Sequence, residues 1–242
     1  MLSRLKRSDN HYFYWVVAMS QKTALLLGGS GLIGRHCLNY LLNDEHYNQV
    51  MTLVRRPLLV EHPKLVQHQV NFSQLQDFKK MIQANDVYCC LGTTIKKAGS
   101  KEAFYEVDFR YPTEIAELSI ANGAEHFLLV SAIGANPRSS IFYNRVKGEV
   151  EQAIVQYGFK RVTIFRPSLL LGKRPEWRLS EEFWKKFFRW FSFAFKGRLK
   201  KYQPIRGKAV AYAMVEVAKE SADRKQVVES HHIQAIFDRR HT

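Results

Sequence analysis

The stretch Leu25–Leu26–Leu27–Gly28–Gly29–Ser30–Gly31–Leu32–Ile33–Gly34 decides how the chain is read. A short apolar run stops at a cluster of glycines, and an apolar helix pattern resumes after it. Gly28, Gly31 and Gly34 stand in a G-x-x-G-x-x-G spacing. That is how a strand hands over to a helix while leaving room for a pyrophosphate. The first glycine permits the tight turn, the second lets the backbone approach the phosphates, and the third lets the helix pack closely on the strand. The helix start then offers N–H groups and a partial positive charge to an anion. Gly28, Ser30, Gly31, Leu32, Ile33 and Gly34 are therefore the expected pyrophosphate contacts. A glycine triplet alone is a weak signal; the strand before and the helix after give it force.

Outward from this loop the chain alternates. Short apolar runs predict strands over 23–28, 50–55, 65–70, 86–91, 125–131 and 161–166. Amphipathic spacing predicts helices over 31–43, 73–83, 102–121, 140–157, 178–195 and 206–221. Repeated β–α order implies an α/β fold, a Rossmann-type doubly wound parallel sheet with helices on both faces. Pro112 is placed where its missing amide costs least, and Pro167 closes the sixth strand. With no linker and no internal repeat, residues 22–242 read as a single domain preceded by an extension over 1–21. The stretch from about 168 to 205 interrupts the alternation and reads as a small C-terminal helical region that covers the substrate.

Composition bounds the rest. The chain has 242 residues, 46% hydrophobic and 24% charged, which suits a globular protein with a sizeable core. Cys37, Cys89 and Cys90 do not make a disulfide framework or a C-x-x-C pair, so a reducing, cytoplasmic setting is expected and no structural metal. The nine histidines show no metal-ligand spacing, and the adjacent pair His231–His232 reads as solvent-exposed. The formal net charge is +15. Residues 173–208 hold twelve Lys or Arg against three Asp or Glu, and so carry +9 of it. Such a surface attracts phosphorylated cofactors, nucleic acid or anionic lipid, or is simply a solvated face.

The second strand ends Val54–Arg55–Arg56–Pro57, with no acidic residue. An acid at this point would suit a ribose 2′-hydroxyl, whereas Arg55 and Arg56 suit a 2′-phosphate, so NADP is expected rather than NAD. Asn71 and Phe72 follow the third strand, where a polar side chain meets adenine. Leu91, Gly92, Thr93 and Thr94 follow the fourth and give close access to the ribose; either stretch is also compatible with a plain turn. Ser131 ends the fifth strand. Tyr143 and Lys147 stand four apart and share one helix face. A tyrosine with a pKa of about 10 is a poor acid–base catalyst at neutral pH, and a neighbouring ammonium lowers that value. Ser131 orients a carbonyl, Tyr143 moves a proton, and Lys147 tunes Tyr143 and holds ribose. That set matches hydride transfer to a carbonyl, although a Tyr-x-x-x-Lys pair in isolation is usually a surface helix pair.

With Gly28–Gly34, Cys89–Cys90–Leu91–Gly92–Thr93–Thr94, Tyr143…Val146–Lys147–Gly148–Glu149–Val150–Glu151 and Phe165–Arg166–Pro167–Ser168, the chain resembles the short-chain dehydrogenase/reductase superfamily. The likeness is to its extended and atypical branches, and most of all to the Tat-interacting-protein-like oxidoreductase family, over roughly residues 22 to 220. The resemblance implies a Rossmann fold, NADPH binding, Ser131, Tyr143 and Lys147 as the catalytic triad, and Pro167 beside the nicotinamide. Asn71 stands where the family usually has aspartate, and Ser30 is a tolerated variation in the glycine loop. The resemblance implies a reaction class without a substrate; homodimers through paired helices are common among such relatives.

Phe183, Trp184, Phe187, Phe188, Phe191 and Phe195 form one helical stripe interleaved with Lys185, Lys186 and Arg189, while Trp190 and Phe193 fall off it. The stripe reads as a lid packed on the core, next as a weakly membrane-facing surface, and last as a nucleic-acid site, for which no recognition motif is present. The N-terminal Tyr12–Ala18 run is too short to span a bilayer, which takes ~20 residues. It reads as an extension outside the fold or a membrane-surface anchor. Three functions follow: an NADP(H)-dependent reductase or dehydrogenase acting on a small carbonyl compound or alcohol, a non-catalytic NADPH sensor, and a peripheral membrane protein.

Overall fold

Leu25, Leu26 and Leu27 are fully buried, because the strand they form is covered on both faces. The computed structural model describes residues 22–171, 203–220 and 225–240. Its strands are β1 (Lys22–Leu27), β2 (Tyr47–Val54), β3 (Leu65–Gln69), β4 (Asp86–Cys89), β5 (His126–Val130), β6 (Arg161–Arg166), β7 (Leu170–Leu171), β8 (Ile205–Arg206) and β9 (Lys225–Glu229). All but β7 and β8 form one parallel sheet in the order β3-β2-β1-β4-β5-β6-β9. Leu25 lies between Met51 of β2 and Val87 of β4. The order reverses direction between β1 and β4, which opens a crevice at the carboxyl ends of those strands. β7 and β8 pair only with each other.

Helices α1 (Gly34–Leu42), α2 (Ile95–Ala98), α3 (Lys101–Tyr105), α4 (Tyr111–Ala121), α5 (Phe142–Gln156), α6 (Gly207–Lys219) and α7 (Ser230–Asp238) complete the described elements, with a 3-10 segment over Phe72–Met81. Alternate residues of β1 face opposite layers, as the pleat requires. Ala24 and Leu26 join a core with Cys37, Leu41, Val210, Met214 and Ile233 from α1, α6 and α7. Leu25 and Leu27 join a second core with Leu75, Ile115, Val150 and Ile154 from the 3-10 segment, α4 and α5. The doubly wound Rossmann-type sheet expected from the sequence is therefore present.

The amino-terminal edge of the sheet is locked around one buried carboxylate. Asp86 accepts from Lys22 at 3.1 Å and from the Tyr47 hydroxyl at 2.7 Å, with Arg161 at 3.6 Å. The Tyr47 and Tyr88 hydroxyls lie 2.7 Å apart. Removing Asp86 would strand these groups, so the lock ties β1, β2, β4 and β6 together. The site lies at the opposite edge.

Four expectations change. The helix expected over 73–83 is a 3-10 segment kinked at Gln74. The helix expected over 102–121 is broken by a π turn at Glu106–Arg110, directly before Pro112 in the first turn of α4. Proline has no amide to continue the regular i→i−4 ladder, so the break falls there. The fourth strand stops at Cys89, short of 91. A seventh strand, β9, and helix α7 join the main fold and were not foreseen. The helix expected over 178–195, and with it most of the covering region and the aromatic stripe, lies outside the described residues, as does the extension over 1–21. The ends of the covering region are pinned together: Ser168 Oγ donates to the Gln203 carbonyl, and the Ile205 amide donates to Leu169 O at 2.9 Å.

Candidate active site

The glycine loop has the geometry its spacing predicts. Gly28 sits at φ +75°, and a Cβ there would lie 2.6 Å from the Cys90 carbonyl oxygen. A Cβ on Gly34 would lie 2.0 Å from the Gly28 oxygen. The loop is thus folded against the end of β4, at the switch point of the sheet. The Gly31 amide closes the turn onto Gly28 O at 2.8 Å. Among the described residues no main-chain carbonyl takes the amides of Ser30, Leu32 or Ile33. Ile33 caps α1 without a side-chain acceptor, and the first turn carries no acid. Amides without an acceptor among the described residues at a helix start fit an anion such as a pyrophosphate.

The remaining expected contacts line the carboxyl edge of the sheet. Arg55 and Arg56 follow β2 and are both exposed. The Arg55 carbonyl is held by Gln69 Nε2 at 3.3 Å, and neither guanidinium forms an ion pair among the described residues. Asn71 is exposed, and its Oδ1 caps the 3-10 segment by accepting from Ser73 N at 3.1 Å. Phe72 is buried against Tyr111. Thr94 Oγ1 caps α2 by accepting from Lys97 N at 3.2 Å. Past β4, Leu91 is half-buried and Gly92 exposed.

The structure brings Gly92, Thr93, Tyr143 and Lys147 together around Asp108, a residue the sequence reading missed. Asp108 projects inward from the π turn and is 1% exposed. Lys147 Nζ lies 2.8 Å from its Oδ1, and Thr93 N–H donates to its Oδ2 at 2.8 Å. Burial acts to lower the Lys147 pKa; the Asp108 carboxylate, and then the Tyr143 phenol, more than reverse this and raise it. Lys147 is therefore a buried, firmly charged ammonium one helical turn from Tyr143. The Tyr143 ring packs on Phe104, centroids 5.6 Å apart. Ser131 is 5% exposed, and its Oγ has no hydrogen-bond partner among the described residues. A buried hydroxyl left open is costly unless something fills its place, which suits a ligand oxygen. The Ser131 amide donates to Phe165 O at 2.8 Å and the Ile133 amide to Pro167 O at 3.0 Å, so the segments after β5 and β6 are zipped together and Pro167 is placed beside Ser131.

The sequence pattern of a family described as NAD(P)H-binding matches residues 28–176, from the glycine loop past Pro167. The chain belongs to this NAD(P)H-binding family. Within it the chain is an atypical member of the short-chain dehydrogenase/reductase superfamily. It is 39% identical to Protein HTATIP2 of Rattus norvegicus, across 70% of this chain and 72% of that protein. It is 31% identical to Protein FMP52, mitochondrial, of Candida glabrata, across 85% of this chain and 89% of the relative. Among solved structures, MoeE5 in complex with UDP-glucose and NAD superposes with a TM-score of 0.65 at 14% identity, over 90% of this chain and 81% of that one. That likeness concerns the Rossmann fold.

These relatives correct one expectation. A cytoplasmic setting is overturned by relatives in four yeasts that are all named mitochondrial. Unpaired cysteines carry no information against mitochondria. The three thiols are free, and burial pushes the Cys89 thiol up to about 12, so it stays a neutral core group.

Proposed function

We propose that the protein is an NADP(H)-dependent oxidoreductase that interconverts a carbonyl compound and an alcohol in mitochondria. The observation that carries this reading is the Asp108–Lys147 pair, which places a buried ammonium one turn from Tyr143 at the switch point of the sheet. The open amides of the glycine loop would hold the pyrophosphate, and Arg55 and Arg56 the 2′-phosphate. The cofactor, when bound, would supply or take the hydride. Ser131 Oγ would donate to the carbonyl oxygen and fix its position. Tyr143 Oη would give that oxygen its proton, and the Lys147 charge would stabilise the phenolate left behind. In the reverse direction the same atoms take the proton from the alcohol. The mitochondrial names of the yeast relatives support the location.

The test is a panel of aldehydes and ketones with the full chain and NADPH, following loss of nicotinamide absorbance. Turnover that disappears in Tyr143→Phe, with NADPH affinity changed less than about threefold, supports the assignment. A fully active Tyr143→Phe enzyme would remove Tyr143 from the chemistry.

A further inference from the structure

On α5, Tyr143, Lys147 and Glu151 recur at every fourth position. They share one helix face, so the roll of α5 about its axis places all three together. Glu151 is 6% exposed, a carboxylate kept from water two turns along the face that carries Tyr143. Arg166, the last residue of β6, reaches it as a fork: Nε donates to Oε1 at 2.9 Å and Nη2 to Oε2 at 2.5 Å. The third nitrogen, Nη1, lies 3.7 Å from Glu229, the last residue of β9. A two-point fork fixes an angle as well as a distance, which a lysine ammonium in that place would not do. Just beyond Arg166, the Pro167 carbonyl accepts the Ile133 amide, and Ser168 Oγ meets Ser230 Oγ at 3.1 Å. The guanidinium therefore stands where α5, the segment carrying Pro167 and the end of β9 meet.

A buried ion pair adds little to stability over two apolar side chains of similar size, which often pack better. What such a pair supplies is a fixed arrangement. Side chains reach about 5–6 Å from a helix axis, so a roll of about 10° moves a side-chain tip by about 1 Å. A misplacement of that size costs up to about a hundredfold in rate. We propose that Arg166 is a positioning residue: through Glu151 it fixes the roll of α5 and so aligns Tyr143 with Ser131 and Pro167. This rests on the reading of Tyr143 as the group that moves the proton. Arg166 and Glu151 take no part in the proton transfer; they act through the helix.

The experiment uses the full chain and two variants. Arg166→Met/Glu151→Met removes both charges and leaves no buried carboxylate unpaired, so its stability in urea should match the wild type. Arg166→Lys keeps the charge and loses the fork. Fluorotyrosine is incorporated, and the fluorine resonance of Tyr143 is assigned by its loss in Tyr143→Phe. That resonance, read with and without NADPH, should move in the double variant. On a carbonyl compound that the wild type reduces, kcat of the double variant should fall about tenfold or more, with KM and NADPH affinity within about threefold. Arg166→Lys should not restore the wild-type kcat. A Tyr143 resonance that stays in place, or full turnover in either variant, overturns the proposal. So does a loss of turnover that only follows a loss of stability. If the wild type reduces no carbonyl compound, the proposed reaction fails, and the Tyr143 resonance alone decides whether Arg166 and Glu151 place that side chain.

Discussion

Replacing Asp108 with asparagine removes one charge and keeps an acceptor for the Thr93 amide. Lys147 would then be a buried cation without its counter-ion, and burial would govern its pKa. The Asp108→Asn protein should lose about 3 kcal/mol of stability in urea denaturation at pH 7, and its carbonyl turnover should fall further than its NADPH affinity. A variant as stable and as active as the wild type would show that the pair does not hold the ammonium. Ser131 makes a second case at this scale. Its Oγ is buried and has no partner among the described residues, so Ser131→Ala should leave stability within about 0.5 kcal/mol of the wild type while lowering turnover. A large loss of stability would instead assign the hydroxyl a structural bond. Ser131, Tyr143 and Lys147 stand out in the sequence because their types and spacing suit carbonyl chemistry. Asp108 does not, because nothing in Glu106–Arg110 distinguishes an inward carboxylate from a solvated one until the π turn rotates it toward Lys147.

At the scale of elements, the glycine loop depends on how closely α1 approaches β1. A methyl on Gly34 would meet the Gly28 carbonyl oxygen at 2.0 Å, and backbone cannot yield there without moving the helix. Gly34→Ala should therefore cost about 3 kcal/mol or more by overpacking and abolish NADPH binding, read by thermal denaturation and by cofactor fluorescence. Binding that survives would place the pyrophosphate elsewhere. The strands of the sheet centre were readable because both their faces are buried, which leaves unbroken apolar runs such as Ala24–Leu27 and Phe127–Val130. β9 was not readable. Its sequence Lys225–Gln226–Val227–Val228–Glu229 lies at the sheet edge with only Val228 buried, so it carries too little apolar pattern to declare itself. The apolar spacing of the 3-10 segment is that of an α-helix, and only the backbone kink at Gln74 distinguishes the two.

For the whole molecule, stability should depend on pH through His126. The ring is buried at the amino-terminal end of β5, with Nε2 2.9 Å from Thr163 Oγ1. Burial, then Arg161 and Lys22, lower its pKa to about 3. The unfolded chain takes up a proton near pH 6.5, whereas the folded one does so only near 3. Unfolding therefore binds a proton throughout that window. The contribution is fully present above about pH 6.5 and is lost as pH falls, by about 1.4 kcal/mol per pH unit. His126→Gln, which keeps a partner for Thr163, should flatten the slope of denaturation free energy between pH 6 and 4 by about that amount; an unchanged slope would show that His126 is already protonated in the fold.

The proposed function puts NADP(H) in the crevice between β1 and β4, with Arg55 and Arg56 on the 2′-phosphate. Titration of the full chain with NADPH and NADH, repeated on Arg55→Ala/Arg56→Ala, tests it most directly. NADPH should bind about tenfold or more tightly than NADH, the equivalent of one charge-assisted phosphate contact, and the double variant should bring the two affinities together. Equal affinity of the unaltered protein for both, or binding of neither, would overturn the NADP(H) assignment.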